Sequence, residues 1–189
     1  MRRLRFPFLA AAVIFVAAAT PAKAVAQKSR KKADTAPAVT PESKPCSSDS
    51  YRQFDFWLGD WNVVAKDGKP AGTNHVVSLF GGCGLQENWE SANGGRGTSL
   101  NVYDIVSHHW HQTWVDDQAG LLELNGGIED GKMVLVGWRP SVKEKGARVV
   151  HRITWTPLSP DKVEQNWEAS TNEGRTWTTV FDGIYVRKK

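Results

Sequence analysis

Three side chains in this sequence have the chemistry of proton transfer: the carboxyl of Glu87, the imidazole of His151 and the phenol of Tyr103. A carboxylate and an imidazole can exchange a proton with a substrate, and a phenol can hydrogen-bond developing negative charge. Together they would suit a lyase or isomerase that needs no cofactor. Other chemistries lack their parts. There is no Gly-x-Ser-x-Gly elbow, which excludes the strand-to-helix nucleophile of the common serine hydrolases. Gly81, Gly82 and Gly84 are followed by neither Lys-Ser nor a helical pattern, so they form no phosphate-binding loop, and no cofactor fingerprint appears. His109 and His111 share one face of a strand, but no third ligand accompanies them. They read as exposed histidines, and no metal site is expected.

The elements that must position these groups are strands. From residue 54 onward, short segments of alternating polarity are separated by turn residues, at 60–66, 71–80, 85–91, 97–104, 109–116, 120–129, 132–139, 146–156, 162–169 and 176–187. Connections such as Asp67-Gly68, Asn93-Gly94-Gly95, Asp130-Gly131 and Asn172-Glu173-Gly174 supply or tolerate the positive φ of tight hairpins. All are too short for crossover helices. The prediction is an all-β fold, an up-and-down antiparallel barrel of roughly eight to ten strands, whose closure removes exposed edges. One helical turn precedes it: Phe54, Trp57 and Leu58 fall at i, i+3 and i+4, and Gly59 ends the turn. Trp61 then opens the first strand and is expected to close one barrel end beneath Arg187 of the last.

Alternate residues of a strand share a face. His151, Ile153 and Trp155 form one such set, as do Val163, Gln165 and Trp167, then Trp110, Gln112, Trp114 and Asp116, and finally Glu87 with Trp89. These sets read as interior, and they mix indoles with polar groups that cost several kcal/mol to bury unless paired or hydrated. Two readings stay open: a structural polar network inside a filled barrel, or a partly hydrated cavity for a small aromatic or amphipathic ligand. The leading reading is a non-enzymatic ligand-binding barrel with Glu87, Trp89, Trp110, Gln112, Trp114, His151, Trp155, Gln165 and Trp167 as candidate lining. The alternatives are the cofactor-independent enzyme of Glu87, His151 and Tyr103, and a structural module of the envelope.

Residues 1–24 have a cationic start, an apolar stretch from Phe6 to Ala19 and the small-x-small sequence Ala22-Lys23-Ala24. This is the pattern of a signal peptide, too short and too interrupted by Pro7 to span a bilayer. A periplasmic or secreted product without a membrane span follows. Residues 25–45 contain no aromatic residue and read as a disordered basic linker, with weak contact to an anionic envelope surface as its one prospective interaction. The net charge of +4 resides in these two segments, since residues 46–189 hold fifteen cations and eighteen acids, or −3. Nucleic-acid binding by the folded part therefore has no electrostatic basis. Cys46 and Cys83 are the only cysteines, and in an exported chain they are expected to pair. Residues 46–189 make a single domain of unspecified oligomeric state.

Gly59-Asp60-Trp61 after a helical turn resembles the G-x-W opening of the calycins, the lipocalin and fatty-acid-binding-protein group. More specifically, Phe54-Asp55-Phe56-Trp57-Leu58-Gly59-Asp60-Trp61 resembles the opening of a family of exported bacterial domains of unknown function. The likeness continues through Trp110-His111-Gln112-Thr113-Trp114, Ile153-Thr154-Trp155-Thr156-Pro157 and Phe181-Asp182-Gly183. It implies a calycin-like barrel and carries no activity with it. Ser170 to Trp177 resembles the Asp-box hairpin of sialidase-like proteins, with Asn172 in the Asp position, which implies a stabilised turn and no glycosidase.

Overall fold

Turn residues at the connections let each strand fold back on the one before it, and the ladder closes on itself. The computed structural model describes residues 44–189, so the leader and most of the linker expected above lie outside the described residues. Ten strands follow in order: β1 (Gly59–Ala65), β2 (Pro70–Leu79), β3 (Gly84–Ser91), β4 (Arg96–Asp104), β5 (His109–Asp116), β6 (Leu121–Glu129), β7 (Lys132–Pro140), β8 (Arg148–Ser159), β9 (Lys162–Ser170) and β10 (Thr178–Arg187). Each pairs antiparallel with its sequence neighbours, and β1 pairs with β10, Trp61 opposite Arg187 and Ala65 opposite Gly183, to close the barrel. Among the described residues no helix is long and apolar enough to cross a membrane.

Strand limits differ from the sequence expectation mainly at the ends of β8 and β10. A register shift between Pro157 and Ser159 lets β8 run on beyond Thr156. β10 starts at Thr178 because the preceding residues belong to the turn. Asn172 Oδ1 accepts from the Thr176 amide at 2.9 Å, and the Ser170 hydroxyl accepts from the Gly174 amide at 2.8 Å. Trp177 is drawn to the outer wall, under the Arg152 guanidinium at 4.1 Å.

The chain before β1 seals one end. The expected helical turn is present as a 3₁₀ turn, Asp55–Trp57, and a second 3₁₀ turn, Asp49–Arg52, precedes it. Leu58 is already extended and Gly59 has φ 126°, so the chain must leave for β1 after a single i→i+3 turn. Phe54 and Trp57, both fully buried, stack at 4.9 Å, and Phe54 meets Trp110 and Trp155 edge-on at 5.6 and 5.2 Å. Each buried indole takes roughly 200 Å² out of water, worth roughly 5 kcal/mol before ordering entropy is counted. The Cys46–Cys83 disulfide, closing a separation of 37 residues, fastens this segment to the β2–β3 turn. A loop of that length contributes about 3 to 4 kcal/mol in the chain-entropy account.

Arg187 locks the same end. Its guanidinium lies 4.2 Å over the Trp61 ring, and its N–H groups donate to Leu58 O at 2.8 Å and to Pro160 O at 3.1 and 3.2 Å. Trp61 Nε1 donates to Trp57 O at 2.9 Å, so the arginine, the indole and the turn form one unit. Replacing Arg187 by Ala should lower the unfolding free energy by about 2 kcal/mol in urea titration, and Arg187→Lys should recover less than half of that, because an ammonium lacks the planar fork that reaches two carbonyls from above a ring. A lysine variant as stable as the parent would remove the guanidinium's special role.

Candidate functional site

Three odd-numbered strands, which run in the same direction, carry the same inward pattern of an apolar residue, a polar residue and a Trp. It is Leu85-x-Glu87-x-Trp89 on β3, Trp110-x-Gln112-x-Trp114 on β5 and Val163-x-Gln165-x-Trp167 on β9. The interior is therefore tiered. The sealed end is apolar, a polar belt crosses the middle, and indoles stand above it.

The polar belt is a connected network. Glu87, 5% exposed, accepts from Asn74 Nδ2 at 2.7 Å on one carboxyl oxygen and from Ser99 Oγ at 2.7 Å on the other. Asn101 Nδ2 donates to Ser99 Oγ at 3.0 Å, and Gln112 Nε2 donates to Asn101 Oδ1 at 2.9 Å. On the opposite side the Tyr185 hydroxyl donates to Gln165 Oε1. Burial raises the Glu87 pKa from 4.5 to about 7 against the opposing pull of the Ser99 and Asn74 hydrogen bonds. Burial, with the Glu87 charge behind it, holds the Tyr185 phenol well above its ordinary range. Asn74 Oδ1 is buried without a partner among the described residues. Turning that amide end over end would offer the oxygen to a protonated Glu87, so the pair can serve both forms of the carboxyl.

Above the belt lies a cavity of about 250 Å³ lined by Glu87, Trp89, Gln112, Trp114, Leu122, Ile153, Trp155, Gln165, Trp167, Val180, Phe181 and Tyr185. Its mouth is at the upper tier, where Trp89, Trp114 and Trp167 are half-buried and Val180 is exposed. Three glycines make room for the rings. A Cβ at Gly72 would strike the Trp89 indole, one at Gly97 the Trp114 indole and one at Gly183 the Phe181 ring. Trp114 is further fixed by donating Nε1–H to Asp116 Oδ2 at 3.1 Å, while Oδ1 of that carboxylate accepts from the Gly120 amide at 2.7 Å.

Seven of the nine candidate lining residues, Glu87, Trp89, Gln112, Trp114, Trp155, Gln165 and Trp167, surround this one space. Trp110 shares their face but sits in the sealed tier, 1% exposed, with Nε1 donating to Gln53 Oε1 at 3.1 Å. His151 is also absent from the lining. Its Nδ1 accepts from Trp167 Nε1 at 3.0 Å, and burial together with the Arg139 charge lowers its pKa. Tyr103 lies at the sealed end against Tyr51 and Trp110. The structure does not bring Glu87, His151 and Tyr103 together as an acid–base set. His111 spends both ring nitrogens on Asn125 and Thr113, at 2.9 and 2.8 Å, and no three metal-ligating side chains cluster among the described residues. Sequence reasoning assigned no lining role to Leu122, Ile153, Val180, Phe181 or Tyr185. Ile153 was already on an inward face, and the alternation Phe181-x-Gly183-x-Tyr185 is the signal that would have placed the last two.

This is a closed, up-and-down, calycin-like barrel with an aromatic cavity open at one end. No family model matches the chain, and no curated protein matches it.

The raised carboxyl pKa has a consequence for stability. Below pH 4.5 folded and unfolded chains both hold the Glu87 proton. Between 4.5 and about 7 the folded chain alone holds it, and above that the fold carries a buried charge. Stability should therefore fall as pH rises through this window, by about 3 kcal/mol for a shift of this size. His151, with its lowered pKa, works in the opposite sense. The difference in unfolding free energy between the parent and Glu87→Gln isolates the carboxyl. From pH 4.5 to 8 it should decline by about 3 kcal/mol, and a flat difference would show an unshifted Glu87.

Proposed function

We propose that this protein is an exported barrel that binds a small aromatic or amphipathic molecule in its lumen. The observation that carries the reading is the 250 Å³ cavity walled by four indoles and floored by a polar belt. Its composition, mostly apolar with a few polar groups at one depth, is that of a site that orients a ligand. Eight strands suffice for an interior that side chains can fill, and ten make a wider barrel, so the space follows from the strand count. The glycines beneath Trp89, Trp114 and Phe181 keep the rings against the wall instead of across the lumen.

Export is supported by the leader pattern of residues 1–24 and by the Cys46–Cys83 disulfide, which suits an oxidising compartment. The resemblance of the Phe54 to Trp61 opening to exported barrel domains of unknown function supports the same assignment.

Leu122 lines the cavity and takes no part in the polar belt, which makes it the residue with which to fill the space. In a screen of aromatic and amphipathic compounds read by quenching of Trp fluorescence, hits should lose more than tenfold in affinity in Leu122→Phe, with the melting temperature kept within a few degrees. A phenyl group entering an empty space adds no strain, whereas overpacking a filled core costs about 1 to 3 kcal/mol. A broad screen without a hit, together with a destabilised Leu122→Phe, would show a packed core and end the binding reading.

A further inference from the structure

We infer that the ligand of the cavity is an organic cation, an arylalkylammonium of roughly ten non-hydrogen atoms, whose charged nitrogen is held between the Glu87 carboxylate and the faces of the surrounding indoles. The inference rests on the binding reading above and adds to it the charge and size of the ligand.

Charge comes first. Among the described residues Glu87 is the only carboxyl that lines the cavity, and none of its lining residues is Lys, Arg or His. An anion would meet no countercharge there. A cation would meet a carboxylate whose two oxygens are already oriented by Asn74 and Ser99. Each of those oxygens keeps a second lone-pair direction for a further donor or a positive charge.

The walls favour the same sign. Trp89, Trp114, Trp155, Trp167 and Phe181 ring the space, and the face of an aromatic ring carries the negative part of its quadrupole. An ammonium group in such a cage is attracted from several sides, while a neutral ligand gains only apolar burial. Size follows from volume. A cavity of about 150 Å³ holds benzene, so about 250 Å³ accommodates a ring with a short cationic arm.

The groups facing Glu87 do not supply the missing charge themselves. Asn74 and Val76 on β2, Ser99 and Asn101 on β4, Gln112 on β5 and Gln165 on β9 do not titrate, and Tyr185 on β10 is kept neutral by burial. In the free protein the carboxyl is half protonated near pH 7. A cation must displace that proton to bind, so binding and proton release are linked.

The test uses benzyltrimethylammonium, which is charged at every pH, beside its carbon isostere neopentylbenzene and the anion benzylsulfonate, all titrated into the folded protein by Trp fluorescence. Because the cation does not titrate, any pH dependence belongs to the protein. At pH 8 the cation should bind at least tenfold more tightly than the isostere, and the anion should not bind. From pH 8 to pH 5 affinity for the cation should fall roughly a hundredfold, as expected for competition with a proton at a group of pKa about 7. In Glu87→Gln the ratio of cation to isostere affinity should collapse towards one. If that variant fails to fold, the pH profile of the unaltered protein carries the test alone. Equal binding of cation and isostere, or a flat pH profile, would overturn the assigned charge and leave a ligand-binding cavity standing. Failure of all three probes, and of every compound in the wider screen, would overturn the binding reading with it.

Discussion

A carboxyl group inside a closed barrel must be hydrogen-bonded on both oxygens or given up as a charge, and the interior of this protein is arranged around that constraint. Glu87 obtains one partner from the strand on each side of β3, Asn74 from β2 and Ser99 from β4. Ser99 and Asn101 then need partners of their own, and Gln112 on β5 supplies one, so satisfaction of a single carboxyl spreads across four adjacent strands. The network holds the group without fully compensating its desolvation, which is why the carboxyl stays poised near neutrality.

The belt also divides the barrel. Below it the rings of Phe54, Trp57, Trp61 and Trp110 fill the lumen, helped by a segment from outside the sheet that the disulfide pins in place. Above it no such plug enters from among the described residues, and the rings of Trp89, Trp114 and Phe181 lie over glycines on neighbouring positions of the wall. One end is therefore a core and the other a cavity, built from the same wide barrel. Arg187 joins the two ends of the chain's fold where closure is made, since its own strand completes the ladder with β1.

Alternation of side chains made the faces of β3, β5, β8 and β9 readable, and turn chemistry made the strand count readable. The pairing of the cysteines and the placing of Arg187 over Trp61 were equally legible. Depth was not. Trp110 and Trp114 share a face and differ only by four residues along the strand, yet one is in the plug and the other in the cavity wall, because period-2 alternation tells inside from outside and says nothing of height. His151 points inward by parity, but its nitrogen is already engaged by Trp167, a cross-strand pairing that needs the register between β8 and β9 to be known. Phe181 was obscured for a different reason. A register shift between Thr179 and Phe181 breaks the alternation of β10 on the N-terminal side of that ring, so only the alternation beyond it, through Gly183 and Tyr185, reports its face.

Glu87 is a buried carboxyl at the floor of the cavity that changes from neutral to ionised as the pH rises through about 7. The most direct measurement is the ¹³C chemical shift of its carboxyl carbon, followed by NMR across pH 4 to 9 in protein labelled at glutamate and assigned with Glu87→Gln. The expected titration midpoint is near 7. A midpoint near 4.5, the ordinary value, would show a solvated carboxylate and contradict it.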